Sequence, residues 1–203
     1  MANGAVRVRG FAERKVPLAE VARVGNGAVP GFSMPEGVPA GLDASAYFTP
    51  KRGGYASGVH LCVVDVDPDT GCVDIVRYVV GHDCGTVINP LLVEGQVHGG
   101  VAHGLSNTLY EEAIYDAQGQ PLATSYLDYT LPSAREVPTM DVFHLVTPSP
   151  LNPLGVKGTG EAGTIGAPAA ISGAIEDALR PFGVHVTRLP LNPSRISELI
   201  RRG

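Results

Sequence analysis

The stretch Gly155–Ile171, GVKGTGEAGTIGAPAAI, contains five glycines, one lysine and one carboxylate, and it separates a proline-rich loop from an apolar run. The loop, residues 147–153, carries three prolines, and the run, Ala167–Leu179, predicts a helix with Pro168 in its first turn. A glycine-rich loop that leads into a helix presents free backbone N–H groups and the positive end of the helix dipole. The stretch therefore predicts a binding loop for an anionic group, with Glu161 as an acid among hydrogen-bond donors.

Two other interpretations of this stretch are open at this point. Gly158–Gly163 has the GxGxxG spacing of a dinucleotide-binding loop, which would suit a free-standing nucleotide-binding protein. That fingerprint requires a strand immediately before it, and the three prolines of residues 147–153 disfavour one. Glycine-rich segments are also often only tight turns, so the motif alone does not decide between these interpretations.

The composition bounds the size and class of the protein. With 203 residues, 44% of them apolar and 17% charged, the chain is long enough for one substantial core and fits one or two domains. The net charge of −5 and the absence of a basic cluster disfavour binding to nucleic acid or to an anionic membrane surface. No run approaches 18 apolar residues and no secretory signal is recognisable, so the expected location is cytoplasmic.

The three cysteines, Cys62, Cys72 and Cys84, are separated by 10 and 12 residues. An odd number at these spacings matches neither a disulfide framework nor a CxxC metal or iron–sulfur site. We interpret them as reduced, buried thiols.

Local patterns along the chain predict an α+β fold. Strand patterns at Gly58–Val66 and Cys72–Val80, joined by a turn at residues 67–71, predict an antiparallel hairpin. The remaining predicted elements are an irregular Gly25–Gly41 connection, strands at Val6–Arg9, Asp141–Val146 and Val184–Leu189, a hairpin of Ala113–Tyr115 with Leu122–Leu131, and helices at Leu18–Arg23, Leu91–Glu112 and Pro193–Arg202. Because βαβ alternation is missing, we predict hairpins and a mixed sheet packed with a glycine-rich helix and a C-terminal helix.

The predicted helix Leu91–Glu112 contains four glycines, at positions 95, 99, 100 and 104. Each glycine inside a helix destabilises it by up to ~1 kcal/mol relative to alanine, so a close contact with another backbone or a ligand is expected to compensate. Gln96, beside these glycines, is the candidate ligand-binding residue of the helix. His98 and His103 are five residues apart, which is not the i, i+4 spacing that chelates a metal, and we interpret them as ordinary hydrogen-bonded residues.

Four runs together carry a family resemblance: Asp83–Pro90 (DCGTVINP), Glu94–Gly100 (EGQVHGG), Leu109–Glu112 (LYEE) and Gly155–Glu161 (GVKGTGE). In order and spacing they resemble the C-terminal part of the molybdenum-binding subunit of the xanthine dehydrogenase/aldehyde oxidase family. The resemblance implies that residues 1–203 are the C-terminal portion of a molybdopterin-binding domain, with a short lead-in of residues 1–43 and a core of residues 44–203.

The resemblance also implies an activity and a site. Members of the family are molybdenum hydroxylases that oxidise an aldehyde, a purine or an N-heterocycle with water as the oxygen source. Glu161 matches the family glutamate that acts as the general base, and Gln96 matches the glutamine that contacts the cofactor. The other residues expected beside the cofactor are Lys157, Gly158, Thr159 and Gly160, although Lys157 could also be only a surface charge. The cofactor is expected to be molybdopterin cytosine dinucleotide, whose dithiolene rather than a side chain holds the metal.

The family subunit is several times longer than this chain, and its earlier portion supplies further cofactor loops and most of the substrate channel. We therefore expect a partner chain with that portion, and [2Fe-2S] and FAD on other partner chains. The opening methionine favours a separately encoded small subunit over a cut piece. The alternative is a non-catalytic assembly fragment that keeps the fold without binding cofactor, against which Glu161 and Gln96 count. The helix glycines and the Gly25–Gly41 loop are expected to meet a partner.

Overall fold

The hairpin near the start of the chain pairs β1 (Ala5–Val8) antiparallel with β2 (Phe11–Pro17), and helix α1 (Leu18–Gly25) follows directly. The computed structural model describes residues 4–27, 29–31 and 33–203, so residues 28 and 32 of the predicted Gly25–Gly41 connection lie outside the described residues. These first elements belong to one unit, Met1–Thr49, and all later ones belong to a second unit, Pro50–Gly203. The strand and helix predicted in the first unit are confirmed.

A three-stranded mixed sheet forms the centre of the second unit. Strands β3 (Ser57–Val66) and β4 (Val73–Asp83) form the predicted antiparallel hairpin, and β5 (Met140–His144) pairs with β4 in parallel. In the hairpin turn, the carboxylate of Asp67 accepts a hydrogen bond of 2.9 Å from the amide of Asp69. The order β3-β4-β5 places β4 in the middle, so both neighbours fix its register.

Three long helices complete this unit: α2 (Pro90–Leu109), α3 (Ala162–Ala178) and α4 (Pro193–Arg202). The side chains of Asn89 and Asn192 cap α2 and α4 by accepting backbone N–H bonds of 3.3 and 2.9 Å. Helix α3 contacts both the sheet and α2. The buried apolar core joins all these elements and includes Tyr78, Val80, Val97, Val101, Leu105, Ala167, Ile171, Ile175 and Ile196.

Backbone contact between α2 and α3 explains two of the four glycines in α2. A Cβ added to Gly100 would lie 2.7 Å from the Cα of Gly163, and one added to Gly104 would lie 2.6 Å from the Cβ of Ala167. Such distances are shorter than van der Waals contact, so only glycine allows this approach. Gly95 and Gly99, in contrast, have no described atom of this chain within 4 Å of an added Cβ.

Helix α3 begins five residues earlier than predicted, at Ala162 instead of Ala167, and Pro168 lies inside the helix rather than in its first turn. The carbonyl of Glu161 starts the helix by accepting hydrogen bonds from the amides of Thr164 and Ile165 at 3.0 and 3.1 Å. Gly163 has a poor helix propensity, but its close contact with α2 compensates for this.

Two predicted strand segments were wrong. Residues 122–131 form no strand within the described residues, and the predicted hairpin is reduced to a single bridge between Tyr115 and Pro121. The Ser125 carbonyl there accepts a bond of 2.9 Å from the amide of Tyr129, which closes a local turn instead. Residues 184–189 belong to no strand and have no strand neighbour among the described residues. A helix side chain holds this segment, because Glu176 accepts a bond of 2.8 Å from the amide of Val186.

The cysteines are free, as predicted, but only Cys84 is buried. Cys62 is half-buried, and burial raises the pKa of its thiol to about 11, whereas Cys72 is exposed. The sequence pattern around Cys72 did not reveal that it lies at the exposed end of the hairpin turn. Among the described residues, no helix is long and apolar enough to cross a membrane.

One face of the mixed sheet is apolar and exposed within this unit. The side chains that alternate away from the core include Val59, Leu61 and Val63 of β3 and Phe143 of β5, and Leu61 and Phe143 are 61% and 60% exposed. An Arg77–Asp141 ion pair of 3.0 Å lies on the same face. A surface of this composition is typical of a contact with another part of a larger protein.

Candidate functional site

A cleft of about 530 Å³ lies where the start of β3 meets the start of α3. Its lining includes Gly54, His60, Gly158, Gly160, Glu161 and Ile165. The structure thus brings most of the glycine-rich loop, predicted from sequence as a binding loop, to the wall of one cleft. The volume falls in the range of small-molecule and cofactor sites.

Glu161 is the residue before the first turn of α3, and its side chain makes no capping hydrogen bond. The carboxylate is exposed in the cleft, while the backbone carbonyl of the same residue is bound by the helix. The backbone therefore fixes the position of Glu161 and leaves its carboxylate available to a ligand or a proton.

Gln96 lies beside the same loop, although 64 residues separate it from Gly160 in sequence. The Oε1 atom of Gln96 is 4.0 Å from the position that a Cβ on Gly160 would occupy. Contact between α2 and α3 produces this proximity, because the first turn of α3 at Gly163 packs against Val97 and Gly100 in the middle of α2. An amide that can both donate and accept is thereby placed next to Glu161.

The loop before Glu161 presents unpaired backbone donors. Within the described part of the chain, the amides of Thr159, Gly160 and Glu161 have no protein acceptor, whereas the amides of Lys157 and Gly158 bind the carbonyls of Cys84 and Gly54. An added Cβ on Gly158 would have its nearest atom at 3.7 Å, so space remains beside the loop. Three consecutive free N–H groups at a helix start form a concave site that suits an anionic or strongly polar group.

Lys157 is neither a surface charge nor free. Its Nζ atom lies 3.2 Å from Oδ1 of Asp83, and the side chains of the two residues are only 13% and 10% exposed. The same Asp83 oxygen accepts bonds from the amides of Gly85 and Thr147 at 2.8 and 3.2 Å. Hydrogen bonds from Thr147, then from the Gly85 amide, with a smaller effect of Lys157, hold the pKa of Asp83 well below its usual range.

A backbone approach beside this pair closes the base of the loop. Gly85 has a φ of +70°, and a Cβ there would lie 2.1 Å from the carbonyl oxygen of Gly155, which itself has a φ of +71°. The amide of Thr86 donates to that oxygen at 3.1 Å. The run Asp83–Pro90 is thus a structural partner of the glycine-rich loop, which explains why the two motifs occur together.

We expect Asp83→Asn to destabilise the fold by about 3 kcal/mol, because it leaves the Lys157 ammonium buried without a counter-charge. The control is Asp141→Asn, which breaks the exposed Arg77 pair and should change stability by about 0.5 kcal/mol or less. Thermal unfolding of both variants against pH measures the difference.

The sign of the pH dependence follows from the lowered pKa of Asp83. Its contribution to the free energy of unfolding is complete above the unfolded-state pKa of about 3.9 and is lost as the pH falls below that value towards the folded-state pKa. Asp83→Asn should therefore flatten the acid side of the stability curve. An unchanged acid side would contradict the assigned role of this carboxylate.

Sequence reasoning missed two histidines that contact the loop region. His82, in β4 and only 1% exposed, hydrogen-bonds through Nε2 to Oγ1 of Thr159 at 2.8 Å. Burial lowers the pKa of His82, the neighbouring His144 lowers it further, and Asp83 opposes the effect. The neutral ring is therefore the favoured form, which suits a hydrogen bond with a hydroxyl.

The second histidine, His60, lines the cleft and bonds through Nδ1 to the hydroxyl of Tyr78 at 2.8 Å. Burial lowers the pKa of His60, and a hydrogen bond with the backbone of Ala162 opposes this lowering. The alternation of Tyr78, Val80 and His82 along β4 was the available sequence signal for an inward-facing histidine. His60 had no comparable sequence signal, because Gly166, which it contacts, is distant in sequence.

The comparisons with known proteins agree with this geometry. The family model described as a molybdopterin cofactor-binding domain matches residues 1–138. The large subunit of nicotine 6-hydroxylase from Paenarthrobacter nicotinovorans is 39% identical over 196 residues, which cover 96% of this chain and 24% of that subunit. The chain belongs to this molybdopterin cofactor-binding family. An alignment of that length includes the loop with Glu161, which lies beyond the residues matched by the family model.

Two further relatives place the family within the molybdenum hydroxylases. The xanthine dehydrogenase molybdenum-binding subunit of Escherichia coli O157:H7 is 34% identical over 172 residues, covering 77% of this chain and 22% of that subunit. The structure of quinoline 2-oxidoreductase from Pseudomonas putida 86 superposes with a TM-score of 0.84 and 40% identity, covering 98% of this chain and 25% of that one. The predicted family and the α+β fold of a molybdopterin-binding fragment are therefore confirmed. The chain spans about a quarter of the length of these relatives.

Proposed function

We propose that this chain forms part of the molybdenum active site of a multi-subunit molybdenum hydroxylase. The substrate is an aldehyde, a purine or an N-heterocycle, and water supplies the oxygen. One juxtaposition carries the proposal: the exposed Glu161 carboxylate lines the cleft beside the free amides of residues 159–161, and the Gln96 amide lies next to this loop, 4.0 Å from a Cβ built on Gly160. The relatives named for nicotine, quinoline and xanthine make N-heterocycles the first substrates to assay.

The glycine-rich loop and the adjoining Gln96 of α2 suit an anionic pterin cofactor. Gln96 and the amides of Thr159 and Gly160 would bind its polar atoms, and Gly158 and Gly160 leave the space that it needs. A bound molybdenum–pterin group would supply two-electron redox chemistry and activate an oxygen derived from water. Lys157, whose ammonium is engaged by Asp83, would contribute by holding the loop in place.

Glu161 is the proposed general base. Its carboxylate is free of protein partners in the cap of α3 and faces the cleft. Proton acceptance by a positioned carboxylate requires hydrogen-bond reach to the donor, and the backbone at the helix start fixes that position. We propose that Glu161 accepts the proton that is released as the substrate is oxidised.

The cofactor and partner details belong to the same proposal. We propose the cytosine dinucleotide form of molybdopterin, [2Fe-2S] and FAD on partner chains, and a cytoplasmic location. We also propose that the whole chain, with its lead-in of residues 1–43 and core of residues 44–203, is the C-terminal portion of one molybdopterin-binding domain. Acid hydrolysis of the purified complex should release CMP, and visible absorption should report the flavin and the iron–sulfur centre.

The deciding experiment co-expresses the chain with the products encoded immediately beside its gene and purifies the complex. Elemental analysis should give about one molybdenum per complex, and dye reduction should respond to an N-heterocycle, a purine or an aldehyde. A purified complex without molybdenum would contradict the proposal and favour the non-catalytic assembly fragment.

The exposed sheet face predicts how the chain behaves alone. Because Leu61 and its neighbours are apolar and uncovered, the lone chain should associate or precipitate, and Leu61→Lys should reduce this association while weakening assembly with the rest of the subunit. The control is Leu127→Lys, at a 92% exposed leucine outside the sheet, which should leave assembly unchanged. Size-exclusion chromatography and co-purification measure both effects. A monodisperse, thermally stable wild-type monomer would contradict this prediction.

A further inference from the structure

Two buried or half-buried histidines lie on one face of the sheet. In the β3–β4 register, Gly58 pairs with His82 and His60 pairs with Val80, so His60, Val80 and His82 project to the same side. This is the core-facing side, which carries the fully buried Tyr78 and contacts α3. The pleat therefore directs both imidazoles towards the segment that contains Glu161.

His82 reaches this segment on the N-terminal side of Glu161. Its Nε2 atom bonds to the hydroxyl of Thr159, two residues before the carboxylate, at 2.8 Å. The ring packs edge-on against His144, with 6.2 Å between the ring centroids. Because His82 is 1% exposed, water cannot replace this bond, and losing it would leave a buried polar ring without a partner.

His60 supports the segment on the C-terminal side. Its ring lies so close to Gly166 that a Cβ there would be 2.5 Å from its Cδ2 atom. On its other side, the Nδ1 atom bonds to Tyr78, and the two rings pack edge-on with 5.8 Å between centroids. The fully buried Tyr78 therefore fixes one side of the His60 ring, and the other side of the ring contacts the first turns of α3.

We propose that His60 and His82 are positioning residues that hold the backbone on either side of Glu161. The Glu161 side chain makes no capping bond, so its direction depends on the backbone from Thr159 to the first turns of α3. The two histidines contact this segment and would not contact the reacting atoms. Only Glu161 would contact the reacting atoms. This inference rests on the proposed role of Glu161, because positioning matters only if that carboxylate acts.

The test compares three variants in the purified complex that contains this chain. His82→Ala removes the imidazole, His82→Gln restores an amide that can reach a hydroxyl, and Thr159→Val removes only the hydroxyl at nearly constant volume. His103→Gln is the matched control, because His103 is exposed on α2 away from the loop. Thr159→Val also keeps the test decisive if His82→Ala fails to fold.

Two readouts separate positioning from a general loss of structure. We expect kcat to fall about ten- to hundredfold in His82→Ala and Thr159→Val, with KM and molybdenum content unchanged and with partial recovery in His82→Gln. Hydrogen exchange of the hydrogen-bonded amides of Ala162, Thr164 and Ile165 should accelerate about tenfold in the same two variants. The His103→Gln control should change neither quantity.

The outcomes distinguish this inference from the proposed function. Unchanged hydrogen exchange at the amides of Ala162, Thr164 and Ile165 in both variants would overturn the positioning role, whatever happens to activity. Faster exchange there with an unchanged kcat would also overturn it. If Glu161→Gln keeps full activity, the proposed function fails instead. The Glu161 variant tests the proposed function, and the His82 and Thr159 variants test the positioning role.

Discussion

Glu161→Gln should lower kcat/KM by about two to four orders of magnitude, the range expected when a positioned general base is lost. Glutamine keeps the size and the hydrogen-bonding shape of the side chain, but it cannot accept a proton at neutral pH. The side chain is exposed in the cleft and makes no capping bond, so folding should be unaffected. Steady-state dye reduction measures the loss, and elemental analysis should show that molybdenum is retained.

Glu198→Gln is the matched control for this substitution. Glu198 is an exposed carboxylate on α4 whose partner is Arg202, and it lies outside the cleft. Its replacement should leave activity within about twofold and stability within about 0.5 kcal/mol. Equal losses in both variants would show that activity depends on general charge rather than on a base at position 161. Loss of molybdenum in Glu161→Gln would assign the residue to cofactor retention instead.

Gly163→Ala should destabilise the second unit by roughly 3 kcal/mol. A Cβ at this position would lie 2.4 Å from the carbonyl oxygen of Val97 and 3.0 Å from the Cα of Gly100, and both atoms belong to the backbone of α2. Backbone atoms cannot rotate away, so the two helices must separate along their contact. For a unit of this size the melting temperature should fall by about 6–12 °C.

Gly173→Ala tests the same change further along α3. No described atom of this chain lies within 4 Å of an added Cβ on Gly173, so the helix should gain up to ~1 kcal/mol from the better propensity of alanine. Gly99→Ala and Gly100→Ala form a second test pair in α2. Only Gly100→Ala is expected to destabilise the fold. Similar melting temperatures for Gly163→Ala and Gly173→Ala would mean that the helices adapt to the added methyl group.

The glycine contact also has a functional consequence. Gln96 lies one residue before Val97, and Gly163 lies two residues after Glu161. Any separation of α2 from α3 therefore moves the amide away from the carboxylate. Gly163→Ala should reduce cofactor retention as well as stability, whereas Gly173→Ala should preserve both. Elemental analysis of the two purified complexes checks this coupling.

The sequence predicted the elements whose signals are local. The β3–β4 hairpin follows from alternating apolar residues on either side of the turn at residues 67–71, and α4 follows from an asparagine cap and Pro193. The motifs also sufficed for the family, because the four runs occur together in the order and spacing of the family pattern that they resemble. Neighbouring glycines made Glu161 and Gln96 candidate site residues, and the resemblance supplied their expected roles as general base and cofactor contact.

Local signals failed where long-range contacts decide the conformation. Glycines in residues 158–166 predicted a loop, but packing against α2 stabilises helix from Ala162 onwards. Alternating valines predicted a strand at residues 184–189, but this segment pairs with no strand of the described residues, and the Glu176 side chain accepts a hydrogen bond from it instead. In both places, a partner distant in sequence outweighed intrinsic propensity.

By itself, therefore, the sequence determined the hairpin, the capped helices, the family and the identity of the acid and the amide in the candidate site. Only the tertiary structure decided that Gln96 lies beside the loop that carries Glu161, that Lys157 is paired with Asp83, and that His60 and His82 contact the residues on either side of Glu161. Hydrophobic periodicity and capping act over a few residues and can be read along the chain. A glycine contact between helices or a buried ion pair depends on which surfaces meet, and that information appears only when the chain is packed.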